Sequence, residues 1–123
     1  IKSDFVELLV AAAKGELDSM KIDIYEHFAV TIALVSGGYP GEYVTGKVIQ
    51  GLEHTGEAMV FHAGTNRNEE TVQTQGGRVL AISATGSSLS EARSNAYKTA
   101  SMINWDGMYY RKDIGLDLLN YKG

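Results

Sequence analysis

This 123-residue chain contains no cysteine, which excludes disulfide bonds and thiolate metal sites. Proline occurs only once. Long apolar runs are lacking too, because the longest, residues 28–35, is far shorter than the roughly 20 residues that cross a bilayer. The first 13 residues lack the basic head of a secretory signal. The net charge of −4 disfavours nucleic-acid binding. We therefore expect one cytoplasmic domain that binds neither a membrane nor a nucleic acid.

Apolar residues recur at the helical period in two segments, and each segment begins with residues that can cap a helix. In the first, Ser3 or Asp4 precedes the apolar stripe and Gly15 is placed to end the helix. In the second, Ser88 and Glu91 have the spacing of a capping box, in which side chains bond free backbone N–H groups. The stripes consist of Phe5, Leu8, Leu9, Ala12 and Ala13 in the first helix and Leu89, Ala92, Ala96, Ala100 and Ile103 in the second. The alanines predict close packing on a sheet.

β-Branched and apolar side chains cluster in four segments of the middle of the chain, which predicts four strands. These segments are residues 28–35, 58–62, 71–75 and 78–84. The last two are joined by Gly76 and Gly77 and are expected to form a hairpin. Weaker patterns suggest an edge strand at residues 20–25 and a short helix at residues 47–53. The predicted fold class is α+β, with a mixed, mostly antiparallel sheet flanked by two main helices.

Two glycine-rich loops follow strand patterns and contain the strongest candidates for a binding surface. The first contains Gly37, Gly38, Tyr39 and Pro40, and the second contains Gly76, Gly77 and Arg78. Glycine allows the backbone to approach another group closely, and successive N–H groups in glycine turns can bind anions. Arg78 and Arg111 are able to bind phosphate or carboxylate in a bidentate manner. The structural alternatives are ordinary turn chemistry and ion pairs of these arginines with Asp113 or Glu42.

Two well-known motifs, the phosphate-binding P-loop and the zinc-binding histidine motif, are incomplete in this sequence. Gly41, Gly46 and Lys47 match the spacing of a phosphate-binding P-loop, but Val48 occupies the position where a hydroxyl group must hold Mg²⁺. The three histidines lack the spacing of zinc ligands, and none occurs in a His-Glu-x-x-His pattern. No catalytic or metal-binding residue is therefore predicted in this chain.

Five ordered blocks of sequence carry a resemblance to a known family. They are Ser36-Gly37-Gly38-Tyr39-Pro40-Gly41, Val60-Phe61-His62-Ala63-Gly64-Thr65, Gly76-Gly77-Arg78-Val79-Leu80, Ala92-x-x-x-Ala96-Tyr97 and Asp106-Gly107-Met108-x-Tyr110-Arg111-x-Asp113-Ile114-Gly115. In this order and spacing they resemble the C-terminal region of the phosphoribosylamine–glycine ligase family, which belongs to the ATP-grasp superfamily. Residues 1–15 are similar to the helix that closes the ATP-grasp core of that family, and residues 16–123 to its C-terminal domain.

The resemblance implies a role in a ligase of purine biosynthesis. Members of the family use ATP and Mg²⁺ to join glycine to 5-phosphoribosylamine, giving glycinamide ribonucleotide, ADP and phosphate through a glycyl phosphate. Their C-terminal domain packs over the ATP-grasp core and helps to wall the substrate site, which limits hydrolysis of fragile intermediates. The implied partners are therefore the N-terminal and ATP-grasp domains of the ligase, together with the two substrates in the full enzyme.

The metal-binding acids and nucleotide-clamping lysines of that family are missing from these 123 residues. Because phosphoryl transfer requires charge neutralisation, we expect the chain alone to be inactive and to bind neither ATP nor Mg²⁺. Loop chemistry and the resemblance favour substrate-side or interdomain roles for Gly37, Gly38, Tyr39, Pro40, Gly76, Gly77, Arg78, Arg111 and Asp113. The alternatives are a stand-alone ligand-binding or interaction module that kept the fold, and the equivalent domain of another ATP-grasp enzyme such as a biotin-dependent carboxylase.

Overall fold

A computed structural model describes residues 1–68 and 70–119, and in these residues the chain forms two helices and six strands. In chain order they are α1 (Phe5–Lys14), β1 (Phe28–Ser36), β2 (Met59–His62), β3 (Thr65–Asn68), β4 (Thr71–Thr74), β5 (Arg78–Gly86), α2 (Leu89–Met102) and β6 (Met108–Tyr109). Short 3-10 turns occur at Leu17–Ser19 and Leu52–His54. All strand pairs in the described residues are antiparallel. The predicted α+β class, with two main helices, is confirmed.

The main layer is a four-stranded sheet with the strand order β2–β5–β1–β6. β1 and β5 pair along almost their whole length, from Phe28 opposite Gly86 to Leu34 opposite Leu80. Their buried side chains, Val30, Ile32, Leu34, Leu80, Ile82 and Ala84, belong to the core cluster that also contains Ala92, Ala96 and Ala100 of α2. Methyl side chains let a helix approach a sheet closely, so the packing predicted from the alanine stripe is confirmed.

α2 begins at a capped turn that differs in one detail from the predicted capping box. The Ser88 hydroxyl oxygen accepts a hydrogen bond from the Glu91 backbone N–H at 3.2 Å, as predicted. The Glu91 carboxylate, however, accepts from the backbone N–H and the hydroxyl of Ser87, one residue earlier than expected. These hydrogen bonds lower the pKa of Glu91, because they stabilise its ionised form.

A second, smaller sheet consists of β3 and β4, and residues 46–49 run beside β4. The backbone N–H of Ile49 donates to the carbonyl of Val72 at 2.8 Å. The helix predicted at residues 47–53 is therefore wrong, apart from the 3-10 turn at its end. Its backbone groups are used by β4, and Gly51 adopts a left-handed φ of +83° that interrupts a helix.

The predicted strands at β4 and β5 exist, but the hairpin predicted between them is wrong because they lie in different sheets. Gly76 and Gly77 form the crossing from one sheet to the other. Their carbonyl oxygens accept hydrogen bonds from the hydroxyl and the backbone N–H of Ser36, at 2.9 and 2.8 Å respectively. These two bonds attach the crossing to the end of β1, which is why the chain does not turn back on β4.

α1 has the predicted ends: the Asp4 carboxylate accepts two backbone N–H groups of the first turn, and Gly15 ends the helix at a φ of +73°. Its apolar stripe is only partly buried, since Leu8 is buried whereas Phe5 and Leu9 are exposed. Leu8 also lies outside the core cluster formed by the main sheet and α2. The stripe therefore predicted the helix correctly but not its packing.

The edge strand predicted at residues 20–25 is wrong, because this segment contains no regular secondary structure. Its backbone bonds residues that precede α1 instead of a sheet. The carbonyl of Asp23 accepts from the Lys2 N–H at 2.7 Å, and the N–H of Asp23 donates to the Ser3 hydroxyl oxygen at 2.8 Å.

Replacing Ala96 by leucine is expected to destabilise the chain by about 1–3 kcal/mol, because Ala96 is fully buried and a larger side chain has no space between α2 and the sheet. The measurement is the midpoint of urea unfolding. Ser94→Leu, on the exposed side of the same helix, is the matched control and should leave the midpoint almost unchanged. Equal effects of the two substitutions would contradict the close packing of α2.

Candidate functional site

Three turns meet at one end of the main sheet, and we call this region the loop end. They are the first glycine loop (residues 36–47), the second glycine loop (residues 75–78) and the turn at residues 104–107. They are neighbours because β5, β1 and β6 are adjacent antiparallel strands and the three turns adjoin the same ends of these strands. The structure thus brings together Gly37, Gly38, Tyr39, Pro40, Gly76, Gly77 and Arg78, the predicted residues of both glycine loops.

The two glycine loops contact each other directly through small residues. The ring of Tyr39 lies against Gly77, where an added Cβ would fall well inside van der Waals contact with the ring. A Cβ on Gly76 would lie 3.2 Å from the Cα of Gly64, so this backbone crossing is also close. Tyr43 meets Tyr39 edge to face, with ring centroids 6.1 Å apart. The close approach at Gly77 is therefore an approach of one loop to the other, whereas Gly76 approaches the turn between β2 and β3.

Several backbone N–H groups of the two loops already donate to backbone carbonyl groups of the chain. Those of Tyr39, Gly41 and Gly76 donate to carbonyl groups of Ser36, Gly38 and Gly64 at 2.8–3.2 Å. The peptide bond between Tyr39 and Pro40 is cis. An anion-binding nest needs successive N–H groups directed at the ligand, and these three are directed elsewhere. These three N–H groups therefore do not contribute to an anion-binding nest.

The turn at residues 104–107 holds the first glycine loop in place. A Cβ on Gly37 would lie 2.5 Å from the carbonyl oxygen of Gly107, which leaves room for glycine only. The Lys47 ammonium group donates to the Asp106 carboxylate at 2.6 Å. The hydrogen bond and the charge of Lys47 lower the pKa of Asp106. Sequence reasoning considered Lys47 only as a failed P-loop lysine, and no local signal indicated its partner 59 residues away.

Arg111 and Asp113 form a two-point ion pair with each other. The Nε and Nη2 atoms of Arg111 donate to the two carboxylate oxygens of Asp113 at 2.9 and 2.7 Å. The hydrogen bond to the partner raises the pKa of Arg111 and lowers that of Asp113. The structural alternative considered for Arg111 is therefore present in this structure, and the fork of its guanidinium group is already occupied.

A mostly apolar pocket of about 210 Å³ lies between the loop end and this ion pair. Tyr39, Tyr109, Tyr110 and Arg111 form its walls, and Ile32, Ala33, Val35 and Ile114 complete its lining. Arg111 thus lines the same pocket as Tyr39 of the first glycine loop. The sequence predicts no site role for Tyr109 or Tyr110, because adjacent tyrosines after a turn do not indicate which strand they will join.

Arg78 is directed outward by a β-bulge. The pairing of β1 and β5 shifts between Leu34 and Val35, so that Val35 lies opposite Arg78 and Val79 has no partner. Val79 is fully buried, whereas Arg78 is exposed, which reverses the regular alternation of β5. In the described part of the chain no carboxylate lies within ion-pairing distance of Arg78. The loop end therefore presents an uncommitted guanidinium group that can bind a carboxylate or phosphate.

The loop end contains no arrangement for acid–base or metal chemistry in the residues that the structure describes. No group of three histidine, aspartate or glutamate side chains in those residues could hold a metal ion. Within the same ranges, no helix has the length and apolar character needed to cross a membrane. The arrangement can bind an anion at Arg78 and an apolar group beside Tyr39.

Comparison with known proteins gives consistent results. The model of the family "Phosphoribosylglycinamide synthetase, C domain" matches residues 29–117. A phosphoribosylamine–glycine ligase of Caldanaerobacter subterraneus is 45% identical over 114 residues, 93% of this chain and 27% of that protein. A phosphoribosylamine–glycine ligase of Escherichia coli O6:H1 is 45% identical and aligns over 94% of this chain and 28% of that protein. A chloroplastic phosphoribosylamine–glycine ligase of Arabidopsis thaliana is 41% identical and aligns over 99% of this chain and 24% of that protein.

A solved structure is similar to this chain in both fold and sequence. The phosphoribosylamine–glycine ligase of Thermotoga maritima matches with a TM-score of 0.71 and 34% identity, covering 88% of this chain and 27% of that one. An antiparallel sheet with one helical layer and glycine loops gathered at one end defines a small α+β domain. The chain belongs to the phosphoribosylglycinamide synthetase C-domain family, and it spans about a quarter of the length of the relatives it matches.

Gly77→Ala is expected to destabilise the chain by about 1–3 kcal/mol, because the added methyl group would overlap the Tyr39 ring. In a Tyr39→Ala background the same substitution should cost much less, giving a coupling energy above about 0.5 kcal/mol in a double-mutant cycle. Urea unfolding of the four proteins measures this coupling. Additive effects of the two substitutions would contradict the direct contact between the glycine loops.

Proposed function

We propose that this chain is the C-terminal domain of an ATP-dependent ligase that joins glycine to 5-phosphoribosylamine, forming glycinamide ribonucleotide, ADP and phosphate in purine biosynthesis. The observation that carries the proposal is that 93–99% of the chain aligns with relatives named phosphoribosylamine–glycine ligase. Because the chain spans only about a quarter of those relatives, the proposal assigns the binding of ATP and Mg²⁺ to the remaining part of the enzyme. A cytoplasmic location belongs to the same proposal.

The proposed domain boundary lies after residue 15, so that α1 closes the ATP-grasp core and residues 16–123 form the C-terminal domain. Two observations support it. Leu8 and Ala11, the buried residues of α1, lie outside the core cluster of the main sheet. Phe5 and Leu9 remain exposed, as expected for a helix that packs against a further domain.

The chemistry of the loop end supports a substrate-side role without proton transfer. Arg78 is exposed and unpaired within the described residues, and it is the group best suited to bind an anionic group of a substrate. Arg111 and Asp113 satisfy each other and would hold the adjoining edge in place. In the proposed enzyme, Gly37, Gly38, Tyr39, Pro40, Gly76 and Gly77 form the wall that closes against the other domains.

The isolated chain is expected to show no ATP hydrolysis and no ligation above background. Phosphoryl transfer needs bound cations and acidic metal ligands, and no such cluster exists in the residues that the structure describes. A full-length ligase carrying this chain as its C-terminal region should form ADP and glycinamide ribonucleotide from ATP, glycine and 5-phosphoribosylamine. The measurement is ADP release, with the product identified by mass spectrometry.

Turnover by the isolated chain close to that of the full-length protein would contradict its assignment as an accessory domain. A full-length protein that fails to make glycinamide ribonucleotide, while the isolated chain binds a small ligand, would favour the stand-alone binding module instead. The outcomes are distinguishable because ligation and ligand binding are measured separately.

In the full-length ligase, Arg78→Ala is expected to lower kcat/KM by about 10- to 100-fold, since a hydrogen bond to a charged group contributes about 1.5–3 kcal/mol. The midpoint of unfolding should not change, because Arg78 is exposed and makes no ion pair in the described residues. Arg67→Ala is the matched control, because Arg67 is an exposed arginine on β3, outside the loop end. Unaltered kinetics of Arg78→Ala would remove this residue from the site.

A further inference from the structure

Within residues 1–68 and 70–119, nothing substantial covers one face of the main sheet. α2 packs against one side of β1 and β5, and the side chains on the other side remain accessible. Two rows of residues cross this open face in register: Met59, Ser83 and Thr31 in one row, and Phe61, Ala81 and Ala33 in the next. Met59 and Phe61 are 54% and 53% exposed, so the face presents large apolar side chains to solvent.

The composition of the open face differs from that of a sheet face that normally contacts water. In an antiparallel sheet with one face in water, the side chains along each strand alternate between apolar residues on the core face and polar residues on the solvated face. None of the six residues in these two rows is charged, and the Thr31 hydroxyl donates to that of Ser83 at 3.0 Å, so these two polar groups satisfy each other. Large uncharged apolar patches on a domain mark surfaces that bind another protein surface.

The open face continues into the pocket beside the loop end. Val35 and Tyr109 pair in register at this end of the sheet, and both line the pocket of about 210 Å³. Tyr109 is 58% exposed, which extends the apolar surface from Phe61 towards the candidate site. A pocket of this size can accept one apolar side chain from a covering surface, and such anchors contribute much of the binding energy of an interface.

The relatives are much longer than this chain, so the remaining part of such a ligase is available to cover the open face. The matched domain is about 27% of a phosphoribosylamine–glycine ligase, so nearly three quarters of such a protein lies outside this structure. With neighbouring strands about 4.8 Å apart, the four strands give a face roughly 15 Å wide. Two arginines lie at this end of the face: Arg78 is opposite Val35, and Arg111 lines the pocket.

We propose that the open face formed by the two rows and Tyr109 is the surface on which the part of the ligase chain preceding this domain docks. The inference rests on the proposed function, because it requires the full-length ligase. Docking through this face would place Tyr39 and Arg78 at the seam between the domains. The uncharged character of the two rows and the mostly apolar pocket beside them are the properties expected of a surface that is covered in the complete enzyme.

The test uses cysteine substitutions in a full-length ligase, since this chain has no cysteine of its own. Met59→Cys and Phe61→Cys place a thiol on the open face, and Met102→Cys places one on α2, where Met102 is 41% exposed. The rate of alkylation by N-ethylmaleimide is measured for each site by peptide mass spectrometry, in native protein and in concentrated urea. We expect the native thiols at 59 and 61 to react about tenfold or more slowly than the thiol at 102, and all three to react alike in urea.

Alkylation at 59 and 61 as fast as at 102, in a ligase that still makes glycinamide ribonucleotide, would overturn the docking surface while the proposed function stands. Protection that disappears when the protein is diluted would identify a second copy as the occupant and would equally overturn the proposal. Absence of ligase activity in the parent protein would instead refute the proposed function, whatever the alkylation rates. Two substitutions on the face guard against a single variant that folds poorly.

Discussion

The close approach of α2 to the β1–β5 pair is the interaction on which the rest of the structure depends. Ala92, Ala96 and Ala100 present only methyl groups to the sheet, and each is fully buried. β5 ends at Gly86, and a Cβ added to Gly86 would lie 2.5 Å from the backbone nitrogen of Ala92. The strand and the helix are therefore close from their first contact. Aliphatic side chains of both strands are removed from water beneath the helix, at roughly 25 cal/mol per Å² of apolar surface. Because one helix covers only one face, the same interaction determines which face of the sheet is open.

The paired strands also position the candidate site. β1 ends where the first glycine loop begins, and the second glycine loop leads into the start of β5. β6 joins β1 at the same end of the sheet through Ser36 opposite Met108. The backbone N–H and hydroxyl of Ser36 both donate to the second glycine loop, which binds the two loops together at the last residue of β1. The site is therefore built on the ends of the most extensively paired strands of the sheet.

The helices, four of the strands and the residues of both glycine loops could be predicted because their signals are local. The Asp4 cap, the Gly15 end and the alanine stripe each depend on a few neighbouring residues. The pairing of β4 could not be predicted, because its partners, β3 and residues 46–49, are chosen by hydrogen bonds between segments distant in sequence. The bulge that exposes Arg78 and the pairing of Lys47 with Asp106 are long-range in the same way. Local patterns thus predicted the candidate residues of both glycine loops but not the bulge that exposes Arg78 or the partner of Lys47.

The bulge at Val79 connects the proposed anion-binding role of Arg78 with the proposed docking of another domain on the open face. In a regular strand, alternation would place Arg78 on the same side as Leu80, towards the core, and Val79 on the open face. The bulge instead buries Val79 and places the guanidinium group at the border of the open face and the loop end. If another domain covers that face, Arg78 loses part of its contact with water, and an unpaired charge in such a seam is costly. An anion bound there would remove the cost, and both proposed substrates carry one, a carboxylate on glycine and a phosphate on 5-phosphoribosylamine. Domain docking and substrate binding would then stabilise each other, because Arg78 would favour the closed arrangement chiefly when its anion is present.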